Sequence, residues 1–117
     1  MSIRIEDLPG MDFSDVATKK RIPPTHPGDI LLHDFLEPLN MSANALATAL
    51  HVPANRMTGI LNHTRGVSAD TALRLARYFG NSPEFWLGLQ ADFDLRTTQA
   101  EIGRKLEKEI SPYPAAA

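Results

Sequence analysis

The sequence predicts an all-α fold, and three observations carry that reading. Apolar residues recur at intervals of three and four along most of the chain after residue 26, the period of helices with one buried face. Helix-start residues precede three of these runs: Ser42, Ser68 and the triplet Ser82-Pro83-Glu84. No region is strand-rich, and no internal repeat is present. At 117 residues, 43% of them hydrophobic, the chain suits one domain with a modest core.

Residues 1–26 read as an arm. Pro9-Gly10 makes a turn, a short strand or a turn of helix fits around 12–20, and "KKRIPPTHPG" ends the segment with prolines that disfavour helix before them. Pro27 suits the first turn of a helix carrying Ile30, Leu31, Asp34 and Phe35, which should stop near Glu37 ahead of Pro38. Ser42 caps a second helix, Ala43 to Leu50, with Leu46 and Leu50 beside the small Ala43 and Ala47. Pro53 opens a third, reaching Leu61 or Asn62. Ser68 caps a fourth, Ala69 to Phe79, with Leu73, Ala76 and Phe79 on one face and Gly80 as its stop. The fifth starts at Ser82-Pro83-Glu84, where cap, proline and carboxylate all favour a helix N-terminus, and carries Phe85, Trp86, Leu89 and Phe93. The aromatic pair Phe85 and Trp86 is expected to pack on Phe79 and Phe93. A separate last helix, about Thr98 to Glu109, follows from Ile102, Leu106 and Ile110 at intervals of four, closed by Pro112. The domain plan is therefore an arm at 1–26, a helical domain at 27–97, and a C-terminal helix and tail at 98–117.

Composition removes several functions. Without cysteine there is no disulfide or thiolate chemistry, as suits a reducing cytoplasm. No run approaches the roughly 18 apolar residues of a membrane span, and no signal-peptide pattern opens the chain. The expected location is cytoplasmic. Net charge is −2, which alone argues against a general polyanion binder. Its distribution argues otherwise. From Pro38 to Ala69 there is no Asp or Glu, yet Arg56, Arg65, His51 and His63 fall inside that window. A surface that faces phosphates must lack carboxylates in this way.

Inside the window, the second and third helices are separated only by His51 and Val52, a helix-turn-helix spacing. The corner needs a left-handed backbone, which His tolerates better than most non-glycine residues. On the third helix Met57, Ile60 and Leu61 face inward. Ala54, Asn55, Arg56, Thr58 and Asn62 are left as base-reading candidates. Asn pairs bidentately with adenine, Arg with guanine, and a Thr methyl touches thymine. Gly59 lowers helix propensity by about 1 kcal/mol relative to Ala, and close approach of a partner's backbone would account for it. Ser42 and Asn44, at a helix N-terminus, and Thr64 and Arg65, just after the reading helix, are candidates for phosphates. Lys19, Lys20 and Arg21 could add a contact from the arm, although a solvated charge run is the plainer reading.

"HPGDILLHDFLEPLNMS" and "GVSADTALRLARYFGNSPEFWLGLQADFDL" resemble the HigA-type antitoxins, within the XRE group of helix-turn-helix regulators. The likeness spans roughly residues 24–95. It rests on His26-Pro27-Gly28, on the run from Ser68 to Ala76, and on Ser82-Pro83-Glu84-Phe85-Trp86. It implies a five-helix repressor-like helix-turn-helix domain, a homodimer on palindromic double-stranded operator DNA, and a HigB-type toxin partner that is a small ribosome-dependent mRNA endonuclease. The antitoxin would block this toxin and repress the shared operon. His51 stands where many members carry Gly, and Ala54 where a longer, often basic side chain is common. Both departures bear on which operator is read.

Other functions fit less well. His26, Asp29, His33 and Glu37 fall three to four apart, but one surface helix rarely closes a metal site, so neither metal nor cofactor is expected. No Ser/His/Asp set or Gly-rich phosphate loop marks an enzyme, and little chain remains for a ligand sensor. The competing function is an orphan repressor without a toxin. Two-fold operators need two-fold proteins, and the dimer contact is expected from Phe85 onward, among Phe85, Leu87, Leu95, Ile102 and Leu106.

Overall fold

In the computed structural model the described residues are 24–114. The expected strand or helical turn at 12–20 and the basic Lys19, Lys20 and Arg21 lie outside them. Among the described residues every regular element is a helix.

The first helix, α1 (residues 27–39), has three continuous parts: Pro27–Ile30, a π-helical stretch Leu31–Leu36, and a last turn Glu37–Leu39. His26 caps it, its Nδ1 accepting the Gly28 N–H at 2.9 Å. The expected stop before Pro38 does not occur. The Glu37 N–H donates to the Leu32 carbonyl, five residues back. A π turn is wide enough to take up the proline ring and its missing donor. The helix ends instead at Asn40, which is left-handed at φ 54°.

Helix α2 (Ala43–Leu50) begins at Ser42, whose Oγ accepts the Ala45 N–H at 3.1 Å. It ends at His51 in the left-handed region, φ 60° and ψ 47°, where the Val52 N–H returns to the Ala47 carbonyl at 3.0 Å. This Schellman-type closure satisfies the last carbonyls and turns the chain at once. Pro53 then occupies the N-cap of α3 (Ala54–Leu61). Helix α4 (Ala69–Phe79) runs from Ser68 to Gly80 as its cap and stop predict.

Helix α5 (Pro83–Glu109) is one helix of 27 residues, where the sequence predicts two. No Pro interrupts it, and i, i+4 contacts such as Gln90–Asp94 (2.9 Å) and Arg96–Asp92 (3.6 Å) bridge its middle. Pro112 closes the region as predicted, the helix ending before Ile110.

The core gathers Leu31 and Leu36 from α1, Leu46 and Leu50 from α2, Met57 and Ile60 from α3, Leu75 from α4 and Trp86 from α5. The Trp86 indole N–H donates to Asn81 Oδ1 at 2.9 Å. Its ring meets Phe35 and Phe85 at 5.0 Å and Phe79 at 6.3 Å. Phe93, expected in that cluster, instead stands edge-on to His26 at 4.8 Å. On α4 the buried face is Thr71, Ala72, Leu75 and Ala76, whereas Leu73, expected inward, is 60% exposed. The face 72, 75, 76, 79 fits a helical stripe that leaves position 73 outside it.

A Cβ on Gly28 would collide with the Ile60 carbonyl. The start of α1 thus lies backbone to backbone on the end of α3, and only glycine allows that approach.

Candidate nucleic-acid interface

Helix α3 buries Met57 and Ile60 completely. Ala54, Asn55 and Asn62 are exposed, and Arg56, Thr58 and Gly59 are half-buried along its flanks. The outward face therefore holds the residues the sequence proposes for base reading, with neither an acid nor a large apolar side chain among them.

Arg56 has a neighbour the sequence reading misses. Its Nη1 lies 2.6 Å from Asp70 Oδ1, and the same oxygen accepts the Arg74 Nε–H at 2.7 Å. Arg74 Nη1 in turn donates to the Leu50 carbonyl at 2.8 Å, at the end of α2. Hydrogen bonds from Arg74, then Arg56, hold the exposed Asp70 carboxyl below its ordinary pKa. The Asp70–Arg74 pair is readable as an i, i+4 spacing. The Arg56–Asp70 pair spans fourteen residues and has no periodic signal.

The segment after α3 folds back on it. The Gly59 carbonyl accepts the Thr64 N–H (2.9 Å), the Arg65 N–H (3.1 Å) and the Thr64 hydroxyl (3.2 Å). A Cβ on Gly59 would stand 3.2 Å from Arg65 Cβ. Gly59 therefore serves a close approach within the chain. The fold places Arg65 beside Arg56, and the two line a shallow concavity of about 240 Å³ with Gly66, Ser68 and Thr71. Of the phosphate candidates, Ser42 and Asn44 sit exposed at the N-terminus of α2 and do not line this concavity.

His63, left-handed at φ 65°, clasps the same segment to α1. Its ring stacks on His26 at 4.3 Å and its Nε2 lies 2.8 Å from Asp29 Oδ1. Burial, then the neighbouring His63, lowers the pKa of His26, with Asp29 and Asp94 acting in the opposite sense. His26 is thus turned inward, while His33 pairs with Glu37 at 3.1 Å on the surface. The four residues weighed as a metal face do not converge.

Of the dimer candidates, Leu95, Ile102 and Leu106 line one groove of about 390 Å³ with Thr98, Gln99 and Gly103, on the outer half of α5. Leu95 is 69% exposed. Phe85 lies within the Trp86 cluster and Leu87 is partly exposed; neither lines that groove. Among the described residues no helix is long and apolar enough to cross a membrane.

No family model matches the chain. The antitoxin HigA-1 of Vibrio cholerae is 41% identical over 83 residues, covering 70% of this chain and 75% of that protein. This chain belongs to the HigA family of antitoxins. Two solved HigA structures carry the same fold. The addiction module antidote protein of the HigA family from Coxiella burnetii is 50% identical with a TM-score of 0.75, covering 79% of this chain and all of that one. The Pseudomonas aeruginosa antitoxin HigA, solved with the higBA promoter, is 46% identical with a TM-score of 0.74, covering 76% and 97%. Among the described residues of this HigA-family chain, the five-helix, helix-turn-helix architecture is therefore the one its sequence predicts, with the break between the last two helices removed.

Proposed function

We propose that this HigA-family chain is the antitoxin of a type II toxin–antitoxin module. It binds palindromic operator DNA as a homodimer, represses its own operon and neutralises a HigB-type ribosome-dependent mRNA endonuclease. The observation that carries the DNA reading is the face of α3. Ala54, Asn55, Arg56 and Thr58 stand on one short helix after a tight left-handed corner, with Asn62 at its C-cap, in a window without carboxylates. Asn55, Thr58 and Asn62 read base edges in the major groove, and Arg56 reads a guanine or grips the backbone. Arg65 and Thr64 hold phosphates beside the reader, with Ser42 and Asn44 at the start of α2. The partner class is supported by the Pseudomonas aeruginosa HigA solved with its higBA promoter.

Two-fold operators call for a two-fold protein, and the Leu95, Ile102 and Leu106 groove is the surface proposed for the second copy. Acidic residues Glu6, Asp7, Asp12, Asp15, Glu101, Glu107 and Glu109 would offset the charge of a basic ribonuclease.

Footprinting on the protein's own promoter tests the first half: a protected palindrome is expected, and no protection at any concentration that saturates other DNA overturns operator binding. Co-expression with each adjacent small reading frame tests the second. A stable complex with rescue of growth is expected. Neither complex nor rescue with any frame makes the protein an orphan repressor.

A further inference from the structure

We infer that Asp70 is a positioning residue that presents Arg56 to DNA, so that a carboxylate at the edge of the reading surface raises discrimination between sequences while lowering attraction to all of them. The inference rests on α3 being the reading helix. The geometry is a chain of three hydrogen bonds. The Leu50 carbonyl at the end of α2 holds Arg74, Arg74 holds Asp70 Oδ1 from the first turn of α4, and the same oxygen holds Arg56 Nη1. Asp70 therefore carries two arginines on one carboxylate oxygen, one from its own helix and one from α3. Arg56 is a long side chain that would otherwise sample many rotamers. One of its five donors is taken by Asp70; the rest of the planar fork remains for a guanine or phosphate. Arg56 itself lines the concavity shared with Arg65, so the side chain that Asp70 holds lies on the cationic flank of the reading helix.

The electrostatic consequence has two opposing parts. A carboxylate beside phosphates weakens binding to any duplex and flattens the salt dependence. Pinning Arg56 before binding lowers the ordering entropy that a matched contact must overcome, which favours the matched site alone. A merely structural ion pair would produce the first effect without the second.

Two substitutions with opposite charge changes separate these cases. Asp70→Asn removes a negative charge and Arg74→Gln removes a positive one. Binding of the full-length protein is measured on two duplexes, one selected by the protein from a random pool and one of scrambled sequence, across a salt series. Thermal melts show which variants remain folded. Asp70→Asn should bind the scrambled duplex more tightly with a steeper salt slope, and Arg74→Gln less tightly with a shallower one. Both should lower the selected-to-scrambled ratio, by about 2- to 10-fold for Asp70→Asn, the ordering cost of one long side chain. In an Arg56→Ala background Asp70→Asn should leave the ratio unchanged. If Arg56→Ala lowers the ratio but Asp70→Asn moves both duplexes equally, the positioning role is wrong and the reading helix stands. If neither Asn55→Ala nor Arg56→Ala alters the ratio, α3 is not the reader and the inference falls with that reading.

Discussion

His26 is the residue whose surroundings make the most specific demand on pH. Its Nδ1 accepts the Gly28 N–H, its ring stacks on His63, and Phe93 meets its edge. A proton on Nδ1 would remove the cap's acceptor and place a cation against a second imidazole. Its pKa in the fold is accordingly below the usual value of 6.5, through burial first and His63 second, while Asp29 and Asp94 oppose the shift. The unfolded chain therefore binds more protons than the folded one just below pH 6.5. This contribution to stability is complete above that pH and is lost as the pH falls toward the folded-state value. His33 works in the opposite sense, its pKa raised by the hydrogen bond to Glu37, but on an exposed pair the effect is small. Thermal melts from pH 7.5 to 5 should show a falling melting temperature, flattened in His26→Asn, whose side chain can still accept from Gly28. An unchanged slope in that variant would mean that His26 does not set the acid sensitivity of the fold. Met57 poses a packing demand at the same scale. It is fully buried on the inner face of α3, so Met57→Ala should destabilise the fold by about 2–5 kcal/mol in urea titrations, while leaving base preference per folded molecule unchanged.

Helices are where the sequence is easiest to read and where its gaps have definite causes. Ser42, Ser68 and Ser82 each cap the helix that their position predicts, because capping is local chemistry between residues three apart. His51 takes the left-handed corner for the same local reason. Pro38 misleads, since the rule that proline ends a helix assumes α winding, and the π stretch Leu31–Leu36 escapes it. Leu73 misleads because the series 73, 76, 79 steps by three and drifts off the helical repeat of about 3.6, so the buried stripe passes through Ala72, Leu75 and Ala76 instead. Asp70 beside Arg56 and His63 on His26 stay invisible in sequence because their spacings, fourteen and thirty-seven residues, belong to tertiary folding. The packing of α1 on α3 is equally non-local, yet Gly28 carries a testable trace of it. Gly28→Ala drives a methyl into the Ile60 carbonyl and should destabilise by about 1–3 kcal/mol, read as a lower urea midpoint. A midpoint equal to the wild type would mean that α1 and α3 do not touch as described.

At the scale of the whole molecule, the proposed function uses two surfaces of the described residues: the α3 face with its cationic flank, and the apolar groove on the outer half of α5. If the groove joins two copies, Leu95→Glu, at an exposed position that leaves the core untouched, should yield a monomer by light scattering at tens of micromolar with unchanged helical content. It should also weaken operator binding more than binding of a half-site. A dimer that persists in Leu95→Glu places the contact elsewhere. DNA reading by α3 is decided by one titration: operator binding by Asn55→Ala, Arg56→Ala and Arg65→Ala against salt. Asn55→Ala should weaken operator binding by about 1–3 kcal/mol and relax preference at one base pair. Arg65→Ala should weaken every duplex alike and make the log–log salt slope shallower by about one unit. Folded Asn55→Ala and Arg56→Ala proteins that both bind the operator as the wild type does would contradict it.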